Sequence, residues 1–159
     1  MSLTLSRIAV SNFRNCRRLD RKVRNSVVIV GENQTGKSNL IHALRLLLDP
    51  SLPDTARQLR LEDFCDSMPR PLAASDHIEV SVEIADFMDD VALAAILSDA
   101  LIDPDQGIAR LTYRFEPRSD LAGPPTKASD YDFRLFAGGD PENAIRFDSR
   151  RRIPLDVFP

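Results

Sequence analysis

One short segment, residues 31–40 with the sequence GENQTGKSNL, constrains the fold of this chain more than any other. It completes the pattern GxxxxGK[ST] directly after the apolar residues 27–30, VVIV, and directly before apolar residues at helical spacing. A loop that wraps phosphate oxygens turns backbone N–H groups inward, and it needs glycine where side chains would block the required dihedral angles. The order of strand, loop and helix therefore predicts an α/β fold with a phosphate-binding loop.

The residue types in this loop predict ATP and Mg²⁺ as the ligands. Lys37 is predicted to contact the β and γ phosphates and to act catalytically by stabilising charge on the transferring γ phosphate. Ser38 is predicted to give its hydroxyl to the magnesium ion, and the N-terminus of the following helix adds its positive dipole end. The predicted nucleotide-binding residues of this segment are Gly31, Glu32, Asn33, Gln34, Thr35, Gly36, Lys37, Ser38 and Asn39.

Composition predicts one globular domain over residues 1–159, since 43% hydrophobic and 28% charged residues are ordinary values for a folded protein. The net charge of −3 argues against coating of nucleic acid by bulk electrostatics, so any DNA contact must be local. The two cysteines lack metal-ligand spacing, and no apolar run is long enough to cross a bilayer. We therefore expect a cytoplasmic protein with free thiols and no membrane partner.

Hydrophobic periodicity predicts the remaining elements of the sheet and its helices. A strand is expected near residues 3–10 with a polar exit at 11–16, and a second strand near 17–23. A helix after the loop should stop at Asp49-Pro50, and Asp89 or Asp90 should cap a helix over residues 91–101. Further strands are expected at residues 27–30, 78–84, 111–115, 131–135 and 144–147, with a turn at 138–141.

The order of elements resembles the ATPase heads of the SMC, RecF and OLD (overcoming lysogenization defect) group. In that group, an opening like residues 8–15, IAVSNFRN, precedes a phosphate loop like residues 31–40. The stretch 48–64, which includes LDPSLP and ARQLRLEDF, is most similar to bacterial OLD-type ATP-dependent endonucleases. The specific resemblance covers about the first 65 residues.

The resemblance implies a P-loop NTPase of ABC/SMC type, here the N-terminal lobe with a central sheet plus an antiparallel β subdomain. It implies two heads that sandwich nucleotide in a homodimer, DNA as a partner of the full-length protein, and a C-terminal Toprim nuclease. It also implies that Arg14 or Asn15 approaches the nucleotide.

Three parts of that family's machinery have no candidate in this sequence. No apolar strand ends in adjacent acidic residues as a Walker B motif would, and no Toprim acidic cluster occurs. The nearest match to the signature motif, residues 136–140, lacks its serine and is better explained as a hairpin turn. We therefore expect the chain to be the N-terminal part of a longer protein, with ATP hydrolysis dependent on the missing half.

A basic cluster admits two explanations. Six basic residues occur within residues 14–24, opposed only by Asp20. They could contact DNA or nucleotide phosphate, or they could be the solvated charges of an edge strand, which the composition favours.

Other functional classes stay open at this stage. The loop is also compatible with three other classes of protein. They are a RecF- or SMC-like DNA repair ATPase, a P-loop nucleotide or small-molecule kinase, and a non-catalytic nucleotide-binding assembly module.

Overall fold

The computed structural model describes residues 4–23 and 37–145. The predicted strand at residues 27–30, the loop residues 31–36 and the end of the chain from residue 146 lie outside the described residues. Within the described part, strands form one antiparallel sheet and a 12-residue helix packs on it. The α/β class is confirmed at this level, and the predicted antiparallel β region is the part that the described residues build.

Within the described residues, six strands make the sheet, in the order β2-β1-β3-β5, with β4 and β6 both paired to β5. Every strand pair is antiparallel. The strands are β1 Thr4–Phe13, β2 Cys16–Lys22, β3 Ile78–Ala85, β4 Leu101–Asp103, β5 Ile108–Pro117 and β6 Tyr131–Ala137. The helices are α1 Lys37–Leu48, α2 Asp54–Arg57 and α3 Val91–Leu97, with short 3₁₀ turns at Leu61–Asp63, Ser98–Ala100 and Ala128–Asp130.

The two faces of the sheet differ in chemistry because side chains alternate along each strand. In β3, the alternation that predicted a half-buried strand is confirmed: Ile78, Val80, Val82 and Ile84 are fully buried, while the residues between them are partly exposed. The buried face packs against α1, which contacts β1, β3 and β5. The opposite face carries paired arginines and carboxylates. Among the described residues, no helix is long and apolar enough to span a membrane.

Helix α1 confirms the predicted helix after the phosphate loop and ends at Leu48, just before Asp49-Pro50. Its carboxyl end is held by the Arg57 side chain, which is 1% exposed. Arg57 Nε donates to the Leu46 carbonyl at 2.8 Å, and Nη2 donates to the Asp49 carbonyl at 2.6 Å. A third hydrogen bond runs from Nη1 to the Leu52 carbonyl. Carbonyls at a helix end lack partners within the helix, so this guanidinium satisfies them.

Two predicted boundaries were wrong. Strand β1 does not give way to a polar exit at Ser11 but continues to Phe13, because Ser11 pairs with Arg18 on one side and with Glu79 on the other. The helix capped by Asp90 ends at Leu97, short of the predicted Leu101. The chain tightens into a 3₁₀ turn there, and Leu101 begins β4, where it pairs with Ala109.

The predictions of the Asp90 cap and of the turn after β6 held within the described residues. Asp90 caps α3, and its side chain accepts hydrogen bonds from the backbone N–H groups of Ala92 and Leu93. The predicted turn follows β6. Of the predicted returning strand at 144–147, Ala144 forms an isolated bridge with Phe136, and residues 146–147 lie outside the described part. Cys16 and Cys65 are free thiols.

Candidate functional site

The candidate site lies where the turn between β1 and β2 meets the first turn of α1. We call residues 12–15, Asn-Phe-Arg-Asn, the NFRN turn. Two residues of this turn have a positive φ although neither is glycine: φ is 63° at Asn12 and 51° at Arg14. Such a conformation costs free energy and persists where surrounding contacts enforce it, often at functional sites. The contacts that enforce it here come from α1, from residues 61–65 and from the His77 carbonyl, to which Asn12 Nδ2 donates at 2.8 Å.

Hydrogen bonds join the NFRN turn to Asn39 in the first turn of α1. Arg14 Nη1 donates to Asn39 Oδ1 at 3.0 Å, and Asn39 Nδ2 donates to Asn15 Oδ1 at 2.9 Å. The three residues that sequence analysis had placed near nucleotide, one from the loop segment and two from the resemblance, therefore meet in one cluster. Asn39 stands two positions after Lys37, where α1 begins.

Asp63 holds the arginine of this cluster from the other side. Its Oδ1 accepts from Arg14 Nε at 3.1 Å, and its backbone carbonyl accepts from the Arg14 N–H at 2.7 Å. The Asp63 side chain is 16% exposed and that of Arg14 is 35% exposed, so the pair is partly shielded from water. Asp63 thus fixes both the backbone and the guanidinium of Arg14.

Aromatic contacts complete the attachment of the turn to α1. The fully buried Phe13 ring meets the His42 ring edge-on with centroids 5.7 Å apart. The Arg14 guanidinium lies over the Phe13 ring, 5.1 Å from its centroid. Burial, followed by the nearby Arg14 charge, lowers the pKa of His42. The contact with Phe13 and the lowered pKa are those of a packing histidine rather than of a catalytic base.

The start of α1 suits an anion. Its first turn carries no acidic residue, and Ser38 is exposed. The N–H groups of a first helical turn have no partners within the helix and carry the positive end of its dipole. The predicted residues 31–36 lie outside the described part, as does the Lys37 side chain, so their roles stay predictions. Within the described residues, no group of three or more His, Cys, Asp or Glu side chains could hold a metal ion.

Sequence reasoning missed two residues of this neighbourhood. Asp63 was quoted only as part of the segment that resembles OLD-type proteins, and its pairing with Arg14 spans 49 positions. Gln58, which belongs to the same segment, donates from Nε2 to the Tyr131 carbonyl at 2.8 Å and thereby links residues after α2 to β6. Because the pairing of Asp63 with Arg14 joins residues 49 positions apart, no local sequence pattern signals it.

Comparison with known proteins places the chain in a family. A family model described as "Protein of unknown function (DUF2813)" matches residues 3–125, which is most of the chain. The chain is a DUF2813 protein.

Two curated nucleases also resemble this DUF2813 chain. The Old nuclease of Escherichia phage P2 is 42% identical over 52 residues, which are 33% of this chain and 9% of that protein. The Endonuclease GajA of Bacillus cereus (strain VD045) is 40% identical over 50 residues, which are 31% of this chain and 9% of that protein. These matches confirm the relationship to OLD-family nucleases. Each match spans less than a tenth of the relative's own length.

Proposed function

We propose that this DUF2813 chain is the nucleotide-binding part of an OLD-type DNA-processing protein, in which ATP binding and hydrolysis control an endonuclease. The observation that carries the proposal is the attachment of the NFRN turn to the first turn of α1 through Arg14, Asn15 and Asn39. That attachment places a guanidinium beside the helix that begins at the last residues of the GENQTGKS pattern. The two nuclease relatives support the DNA-processing class.

The residues present fit MgATP. In this proposal Lys37 and Arg14 stabilise the negative charge of the phosphates, and the backbone of residues 32–36 cradles the β phosphate. Ser38 supplies the protein oxygen for Mg²⁺, which otherwise prefers phosphate oxygens and water. The lack of an acidic side chain in the first turn of α1 supports this proposal, because a carboxylate there would repel the triphosphate.

Hydrolysis needs more than the described residues provide. A water-orienting acid and a signature motif from a second head are the parts of an ABC-type site without a candidate in this sequence. We therefore propose that the full-length protein pairs two heads around ATP and that this chain alone binds nucleotide with little turnover.

Equilibrium titration with MgATP tests the proposal. We expect the unaltered chain to bind and Lys37→Ala to bind at least about tenfold more weakly, since a charge-assisted contact to phosphate contributes about 1.5–3 kcal/mol. Lys127→Ala is the matched control, because Lys127 is an exposed lysine in the loop before β6. Equal affinities of the Lys37→Ala and Lys127→Ala variants would show that the loop is not the nucleotide site.

A further inference from the structure

Strand β2 concentrates positive charge that the described residues do not neutralise. Elsewhere in the sheet, the arginines of β1, β5 and β6 each have a carboxylate partner within 4.0 Å. The shortest of these pairs are Arg7 with Asp20 at 2.5 Å, Arg110 with Glu83 at 2.8 Å, Arg114 with Glu79 at 2.8 Å and Arg134 with Glu142 at 3.2 Å.

Four cations of β2 differ from this pattern: Arg17, Arg18, Arg21 and Lys22. All four are exposed, and in the described part of the chain none has a carboxylate within ion-pair distance. Among the described residues, the one hydrogen bond from a side chain of this group runs from Arg21 Nη1 to the Asp20 backbone carbonyl at 3.3 Å. We call these four residues the β2 basic edge.

The single acid of β2 does not offset them because it is already occupied. Asp20 accepts from Arg7 Nε at 2.6 Å and from Arg7 Nη2 at 2.5 Å, a bidentate pair across the sheet. A bidentate arginine uses both carboxylate oxygens. The partner of Asp20 is therefore on β1, and the positive charge of β2 faces solvent.

We propose that the β2 basic edge contacts the phosphate backbone of duplex DNA. This inference rests on the proposed function, since it names the surface that meets the DNA of a DNA-processing protein. Among the described strands, β2 pairs on one side only, with β1, and no described strand pairs with its other edge. From Arg17 to Lys22 the strand spans about 17 Å, at about 3.3 Å per residue. That length corresponds to about five base pairs at about 3.4 Å each.

The surface fits DNA better than an anionic membrane. Membrane-surface sites combine basic residues with exposed apolar anchors. Leu19, the one aliphatic residue of β2, packs against the core, and the large exposed hydrophobic residues of the described chain, Ile41, Met88 and Val91, lie on other elements. With a net charge of −3 on the whole chain, binding of DNA would have to arise from such a local surface.

Fluorescence anisotropy with a labelled 30-base-pair duplex tests the proposal, with the 159-residue chain titrated at 50 to 200 mM salt. Four phosphate contacts predict a slope of log K against log salt of about −3.6, which is a loss of about 150-fold in affinity across that range. We expect Arg17→Gln/Arg21→Gln to reduce the slope to about −1.8 and to weaken binding at 50 mM by at least about tenfold.

The matched control is Arg118→Gln/Lys127→Gln. It also removes two exposed positive charges, but neither residue belongs to the β2 basic edge. We expect this control to bind DNA like the unaltered chain. Circular dichroism of both double variants establishes that each is folded.

Three results would overturn the proposal. They are absence of duplex binding by the unaltered chain at 50 mM salt, equal effects of the two double variants, and binding to phosphatidylserine vesicles without binding to DNA. The MgATP titration separates this proposal from the nucleotide site, because Lys37→Ala should lose ATP binding and keep the DNA slope. If the unaltered chain binds ATP but not DNA, the proposal that the β2 basic edge contacts DNA fails and the proposed nucleotide site stands.

Discussion

Replacing Arg57 should strongly destabilise the carboxyl end of α1. In Arg57→Met the apolar stem is largely kept while the donors to the Leu46, Asp49 and Leu52 carbonyls are lost. The Asp49 carbonyl also accepts from the Leu52 N–H at 3.3 Å, so it keeps one hydrogen-bond partner after the substitution. The expected loss therefore arises mainly at the other two carbonyls.

The magnitude follows from the burial of this group. A buried acceptor left without its donor costs about 1–3 kcal/mol, so two such carbonyls predict a loss of about 2–6 kcal/mol in the free energy of unfolding. The exposed Asp54 carboxylate, 3.7 Å from Arg57 Nη1 and 76% exposed, contributes little to this sum. A loss of this size is a large part of the 5–15 kcal/mol typical of a domain.

Urea unfolding followed by circular dichroism measures the change, with Arg118→Met as the control because Arg118 forms an exposed pair with Asp120. We expect the control to change the free energy of unfolding by less than about 1 kcal/mol. A loss below about 1 kcal/mol for Arg57→Met would refute the reasoning that this guanidinium stabilises the helix end.

Three further predictions concern hydrogen bonds and ion pairs. Tyr113→Phe removes the hydroxyl that donates to the Arg57 carbonyl at 2.6 Å and should lower the free energy of unfolding in urea by about 1–2 kcal/mol; an unchanged midpoint would contradict this. Asp90→Ala removes the cap of α3 and should cost about 1 kcal/mol in the same assay, whereas Asp89→Ala next to it should be near neutral. The third prediction concerns Glu79, whose pKa is lowered to about 2, first by His77 and then by Arg114. Glu79 in turn raises the pKa of His77.

These two pKa shifts have opposite consequences for stability. The contribution of Glu79 is present above its ordinary pKa of 4.5 and is lost as the pH falls toward 2. The contribution of His77 is present below its ordinary pKa of 6.5 and is lost as the pH rises through the folded value. The destabilisation by Glu79→Gln in thermal unfolding should therefore be largest between about pH 4.5 and 6.5. A difference that is flat from pH 3 to pH 8 would contradict the pairing.

The sequence allowed the local elements of this fold to be predicted because hydrophobic period and capping act over a few residues. The alternation in β3 and the cap at Asp90 each depend on neighbours within about four positions. The end of β1 was mispredicted because Ser11 is polar and a local pattern does not report its pairing with residues of β2 and β3.

The burial of Arg57 and the contacts of the candidate site could not be predicted in the same way. Arg57 occurs in a proline-containing polar stretch, where a solvent-exposed side chain is the ordinary expectation. Its burial depends on the position of the α1 carboxyl end. The pairing of Arg14 with Asp63 depends on residues 61–65 lying beside the NFRN turn, which is a property of the whole fold.

The central claim is that the NFRN turn and the phosphate loop serve one nucleotide, and the affinity of Arg14→Gln for MgATP tests it most directly. The glutamine amide nitrogen takes the position of Arg14 Nε, which donates to Asp63, while the donor to Asn39 and the charge beside the start of α1 are removed. The account predicts that the unaltered chain binds MgATP and that Arg14→Gln binds about tenfold more weakly, while Arg17→Gln on β2 binds like the unaltered chain. Equal affinity of Arg14→Gln and the unaltered chain would contradict it.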